Sequence, residues 1–196
     1  MRAATNGHIL QVITNLLRQV APWILRAAHD IGLAAWFGGA YFGAVSLNGA
    51  SREVEDPTQR SRVATAGWFR RAAIVPVAIG AHLVGGVGLL AHQDHDDSGT
   101  ERTVALLRAG VLGTAMLATL ESGRLGRKVA AAGDVPVATA VRPIADTPAE
   151  VASCQRRLRV LQWVIPAATA SLVVIDAWQS SRSGTRPAPR EWLRGR

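Results

Sequence analysis

Three long runs of mainly apolar residues constrain this chain more than any other feature of its sequence. Residues 31–47 (IGLAAWFGGAYFGAVSL) and 160–175 (VLQWVIPAATASLVVI) contain no charge, and residues 72–91 (AAIVPVAIGAHLVGGVGLLA) contain His82 as their one ionisable residue. A helix needs about 20 mainly apolar residues to cross the hydrocarbon of a bilayer. With a few flanking residues each run is long enough, so we expect three membrane spans.

A fourth run, residues 104–120, is interrupted by Arg108. An arginine near the end of a span can extend its charge to the lipid headgroups, or can pair with Asp176 near the end of the last span, so we predict a span here as well. The predicted fold class is an all-α bundle of four transmembrane helices in a domain of residues 28–179. The expected spans are about 28–47, 72–91, 104–120 and 159–178, and the expected location is the cell membrane, multi-pass.

The alternative is a soluble helical domain with buried helices. The 19 glycines weigh against it, because glycine destabilises soluble helices but lets membrane helices pack closely. Gly39 and Gly43 form one such GxxxG pair. Four tryptophans also lie near the predicted boundaries, where aromatic belts form: Trp23, Trp68, Trp163 and Trp178.

The two ends of the chain have a different composition from the spans. Residues 1–27 are predicted to be an amphipathic segment, because apolar residues recur at helical spacing with Gln11, Asn15 and Arg18 on the other side. Residues 180–196 are rich in Ser, Pro, Gly and Arg and are predicted to be a disordered basic tail.

The two long connections, 48–71 and 121–158, begin helices with matching start signals. Asp56 and Thr147 are capping residues that each precede a proline. We call the membrane face occupied by these arginine-rich connections the basic side. Nearly as many basic residues lie at the opposite side, so the positive-inside rule favours a cytoplasmic basic side only weakly.

His82 is the most informative single residue, because a histidine inside a span needs a hydrogen-bond partner, a ligand or a role in proton transfer. The candidate cofactor site pairs it with His29 of the neighbouring span, as ligands of haem b or of copper. We expect His29 to lie nearer the surface than His82. Our prediction is therefore that no cofactor binds, with haem b or copper as the alternative.

The loop LLAHQDHDDSG, residues 89–99, holds a second candidate site. His92, Asp94 and His95 could bind a transition metal, since His-x-x-His brings two imidazoles together on a turn. The same acidic residues also suit a solvated turn between two spans. We expect this loop to be a connection.

No nucleophile motif, phosphate-binding loop or paired-carboxylate site is apparent, so we expect a protein that is not an enzyme. Ionisable residues are predicted to gather at one membrane face only, without the polar path that a transporter needs. The predicted function is a packing or accessory subunit of a membrane complex. Its expected partners are the lipid bilayer and either copies of itself or a larger complex, and not nucleic acid. The alternative function is redox chemistry or metal handling by His29 and His82.

Four segments carry a resemblance: HDIGLAAWFGGAYFGAVSLN, AHLVGGVGLL, LGRKVAAAGDVPV and QRRLRVLQWVIPA. They resemble a group of small, uncharacterised actinobacterial four-helix integral membrane proteins, over residues 28–177. That resemblance implies a cell-membrane location and a four-helix fold, and it assigns no functional residue. His29 followed by Trp36-Phe-Gly-Gly is also similar to copper-resistance-D-like membrane bundles, in which a histidine precedes Trp-x-Gly-Gly.

Overall fold

The computed structural model describes residues 11–13, 15–92 and 99–183, and this part of the chain is almost entirely helical. The long helices are α1 (Pro22–Phe42), α2 (Pro57–Ala72), α3 (Val75–Ala91), α4 (Gly99–Ala131) and α5 (Ala149–Ser183). A short antiparallel hairpin of β1 (Val137–Thr139) and β2 (Arg142–Pro143) connects α4 to α5. The all-α prediction is confirmed for these residues.

Three helical stretches are long and apolar enough to cross a membrane. They are Pro57–Ala91, which joins α2 and α3 through a turn at residues 73–74, Gly99–Ala131 and Ala149–Arg182. Helix α1 is not among them, because its first half carries charged residues and its second half is rich in glycine and aromatic residues. It continues into a π-helix, Gly43–Leu47, and a three-residue turn, Asn48–Ala50, so the helical path is unbroken over the first predicted span.

The two predicted helix starts differ in detail. Asp56 caps α2, because its Oδ1 accepts a hydrogen bond from the backbone N–H of Thr58 at 2.9 Å. Hydrogen bonds from the hydroxyl and the backbone N–H of Thr58 lower the pKa of Asp56 in the folded protein. The cap therefore stabilises α2 at pH values above the ordinary pKa of an aspartate, and this stabilisation is lost as the pH falls through the lowered pKa of Asp56. Thr147 does not cap α5: its hydroxyl donates to Pro136 O and accepts from Ile144 N–H, which closes the hairpin loop.

Helices α1 and α3 run antiparallel and touch through a reciprocal pair of glycines. A Cβ at Gly32 would lie 2.5 Å from both Ala78 O and His82 N, and a Cβ at Gly85 would lie 2.5 Å from Leu25 O and 2.6 Å from His29 N. Each glycine follows a histidine by three residues, so the same His-x-x-Gly pattern is used from both sides. Backbone contact this close is available only to glycine.

Two hydrophobic cores lie along the bundle. The core among the apolar runs is built largely of small side chains around the fully buried Trp36: Ala40, Ala78, Ala115, Ala118, Ile165 and Ala168. The core at the basic side is built mainly from branched apolar residues of α4, α5 and the connection that contains the hairpin: Leu125, Val129, Val135, Val137, Val151 and Cys154. The first is typical of membrane helix packing and the second of a water-exposed cap.

The α1–α3 contact predicts a position-specific effect of one methyl group. Gly85→Ala should lower the free energy of unfolding by about 1–3 kcal/mol, because the new Cβ would overlap the backbone of α1. Gly80→Ala in the same helix is the matched control and should be neutral, since no atom of the described chain lies within 4 Å of its Cβ position. Unfolding of both variants in mixed micelles measures the difference, and equal stabilities would contradict this packing.

Candidate functional site: a polar network shared by four helices

Four side chains, one from each of four helices, meet inside the bundle. They are His29 of α1, His82 of α3, Arg108 of α4 and Asp176 of α5, and both histidines are buried. Each lies seven to nine residues from the helix end at the side opposite the basic side, which is roughly 10–14 Å at about 1.5 Å per residue. They therefore form one layer at a single depth.

The two histidines form a reciprocal pair. His29 Nδ1 lies 2.8 Å from His82 O, and His82 Nδ1 lies 3.2 Å from His29 O. A carbonyl oxygen only accepts, so Nδ1 is the donor on both rings. The rings stack with centroids 4.0 Å apart and an interplanar angle of 23°. His29 is thus level with His82, and the expectation that it lies nearer the surface is wrong, because α1 begins at Pro22 and carries residue 29 well into the bundle.

Arg108 and Asp176 complete the network from the other two helices. Arg108 Nη2 lies 3.1 Å from Asp176 Oδ1, an ion pair rather than a well-aligned hydrogen bond. His29 Nε2 lies 2.8 Å from Arg108 Nη2 and 3.0 Å from Asp176 Oδ2. The arginine that interrupts the fourth predicted span therefore points into the bundle, where its charge is paired.

The contacts of His29 Nε2 exclude one another chemically. Without a proton, Nε2 accepts a hydrogen bond from Arg108; with a proton, it donates to Asp176. Because Nδ1 is committed to His82 O, a single proton at Nε2 decides which of the two neighbours His29 binds. A hydrogen bond from α4 to α1 and one from α1 to α5 are therefore alternatives at this one nitrogen.

An outer layer of polar contacts covers the network. Arg26 forms an ion pair with Asp30 at 2.8 Å and also donates to Ser180 Oγ at 2.8 Å, which ties α1 to α5. The Ser180 hydroxyl donates to Asp176 O. The Arg26–Asp30 pair is about half exposed, whereas the Asp176 side chain is only 11% exposed. The predicted polar layer thus has a buried inner part and a solvated outer part.

The histidine pair does not fit a haem held between its two ligands. Stacked rings 4.0 Å apart leave no space for a macrocycle between them, and His29 Nε2 already lies within hydrogen-bond distance of Arg108 and Asp176. Within the described ranges there is also no group of three His, Cys, Asp or Glu side chains able to hold a metal ion. A Soret band or stoichiometric copper in protein purified without a histidine tag would contradict this geometry.

The loop site is only partly within the described residues. His92 follows the end of α3, with Nδ1 2.9 Å from Gly88 O. Asp94 and His95 fall at 93–98, outside the described residues. The metal site predicted from these three residues stays a prediction.

A second polar network, at the basic side, was not predicted from the sequence. Trp68 Nε1–H donates to Asn48 Oδ1 at 3.1 Å, and Asn48 Nδ2 donates to Gln162 Oε1 at 2.7 Å. Arg71 lies over the Trp68 ring, and its Nε and Nη2 are buried with no hydrogen-bond partner among the described residues. The available signal was the position of Asn48 and Gln162, two uncharged polar residues beside and inside apolar runs.

No protein-family model, no curated protein and no solved structure matches this chain. The resemblance to small four-helix membrane proteins therefore stays a prediction.

The network predicts unequal effects for two neighbouring carboxylates. Asp176→Asn should cost about 3 kcal/mol, because it leaves the charge of Arg108 without its counter-ion inside the bundle. Asp30→Asn removes a half-exposed pair and should cost less than about 1 kcal/mol. Unfolding free energies in mixed micelles give both values. A larger loss of unfolding free energy for Asp30→Asn than for Asp176→Asn would show that the exposed Arg26–Asp30 pair, and not the buried Arg108–Asp176 pair, stabilises the bundle more.

Proposed function

We propose that this chain is a multi-pass protein of the cell membrane with four spans. Helix α1 supplies the fourth span beside the three apolar stretches. It packs along the apolar stretch Pro57–Ala91, from Leu25, which meets Gly88 of α3, to Gly39, which meets the Arg71 side chain of α2. A helix that follows a spanning helix over this length occupies the same depth of the bilayer, and its exposed residues suit lipid: Ile31, Tyr41, Phe42 and Val45.

The N-terminal segment fits a position on the membrane surface. Residues 11–13 and 15–18 are helical, and Val12, Ile13 and Leu16 are exposed. Arg18 Nε donates to Ala91 O at 3.1 Å, which fastens this segment to the end of α3. An apolar face held at the end of a span is typical of an amphipathic interfacial helix.

We propose a packing or accessory role in a membrane assembly rather than catalysis. The observation that carries it is the outer face of α4, opposite its buried residues. Exposed leucines and two glycines repeat there at spacings of four and three residues: Leu106, Gly110, Gly113, Leu117 and Leu120. Nothing within the described chain lies within 4 Å of a Cβ at either glycine, and Gly99–Ala131 is the least buried of the three apolar stretches.

Such a seam suits a second copy of the same helix. The 4-3 spacing is that of left-handed helix pairs, and small residues in the middle of the seam allow close approach in lipid. Two copies of α4 would then form a two-fold interface in which each seam packs against its equivalent.

The oligomeric state tests this role. We expect a dimer in lipid nanodiscs or mild detergent, and a monomer for Gly110→Ile with Gly113→Ile, because two branched side chains would hold the helices apart. Thr114→Ile is the control, since it is exposed on the same helix beside the seam. Mass photometry or light scattering gives the mass. A wild-type monomer, or a double variant that remains dimeric, would contradict the proposal.

A further inference from the structure

The outward face of α5 combines two arginines with an apolar groove. A groove of about 780 Å³ is lined by Arg156, Arg159, Val160, Trp163, Val164 and Ala167. The two arginines are exposed at the end of the groove nearest the basic side, and the apolar residues continue it along the helix. Polar chemistry therefore occupies one end and apolar surface the rest.

The two arginines have no counter-ion among the described residues, whereas the neighbouring Arg157 has one. Arg157 Nη1 lies 3.5 Å from Glu121 Oε1, and Arg124 also binds Glu121. Arg156 and Arg159 form no ion pair with any acidic side chain in the described ranges. Two guanidinium groups one turn apart on a helix can bind one phosphate together.

The depth of the groove matches one leaflet. Arg159 and Asp176 flank the uncharged residues 160–175 of α5, and the 17 residue steps from one to the other span roughly 26 Å at about 1.5 Å per residue. From Arg156 to Ala167 the groove is about 16 Å long, close to half of the roughly 30 Å of bilayer hydrocarbon. Trp163 lies within it at the level of an interfacial aromatic.

We propose that this groove binds an anionic phospholipid. Arg156 and Arg159 hold its phosphate, and an acyl chain lies along Val160, Val164 and Ala167. Neutral phospholipids fit less well, because the two guanidinium charges then face a headgroup without net charge. The site rests on the proposed membrane location of the chain and is independent of the proposed dimer.

The test measures which lipid stays with the protein. The full chain is inserted into nanodiscs of phosphatidylcholine with a minor fraction of phosphatidylglycerol, released from them, and examined by native mass spectrometry. We expect retained phosphatidylglycerol on the wild type and on Arg157→Gln. For Arg156→Gln with Arg159→Gln we expect retention weakened by roughly 30-fold, since each arginine near the surface contributes to binding of anionic lipid. Equal losses in Arg157→Gln and the double variant would overturn the site.

A second pair of variants tests the apolar part without changing charge. Ala167→Trp fills the groove and should also reduce retention of phosphatidylglycerol. Val174→Trp is the control, because Val174 is exposed on the same helix nearer the opposite membrane face. Unchanged retention in Ala167→Trp would overturn the acyl-chain part of the proposal, even if the arginine variants do not fold.

Inorganic phosphate separates a lipid from a simple anion. Excess phosphate should leave phosphatidylglycerol bound, because the acyl chain adds contacts that a free ion lacks. Release of the lipid by phosphate alone would overturn the proposal in favour of a phosphate site. A chain that does not enter the discs would overturn the membrane proposal itself. In all the other experiments, retention of phosphatidylglycerol is measured only on protein that has entered the discs.

Discussion

The contact on which the bundle depends most is the meeting of a buried ion pair with a histidine pair. A charge inside a membrane bundle is costly unless an opposite charge and hydrogen bonds surround it. Arg108 and Asp176 satisfy each other only if α4 and α5 hold their relative height, and His29 joins both only if α1 does the same. The network therefore fixes the register of helices whose apolar surfaces alone would slide.

The glycines make that network possible. The reciprocal bonds between the two histidines and the opposite backbones require α1 and α3 to approach within backbone contact, which Gly32 and Gly85 allow. A membrane interior provides no hydrophobic driving force between helices, so close packing and hydrogen bonds carry the association. The Leu and Val core at the basic side follows the opposite rule, because water there drives burial of larger apolar side chains.

The sequence predicts the helical class and the polar layer well, because charge-free runs and isolated charges are local signals. It predicts partners poorly. The sequence leaves lipid headgroups and Asp176 as alternative partners of Arg108, and the structure pairs Arg108 with Asp176. Thr147 closes the hairpin loop instead of capping α5. The stacking of His29 on His82 depends on where α1 begins and on how closely two helices approach. The contact between Asn48 and Gln162 joins residues 114 positions apart, and no local pattern encodes it.

The four proposed spans have their near ends on one side of the membrane, since the four helices meet at one depth in the network. Gln19→Cys and Glu55→Cys, at exposed positions that precede α1 and follow the helical path after it, test this directly. They are placed in a Cys154→Ala background, because Cys154 is a buried free cysteine. A membrane-impermeant maleimide should label the two positions from opposite sides of sealed vesicles. Asp146→Cys should be labelled from the same side as Glu55→Cys. Labelling of Gln19 and Glu55 from the same side would show that α1 does not cross, and would contradict the four-span bundle.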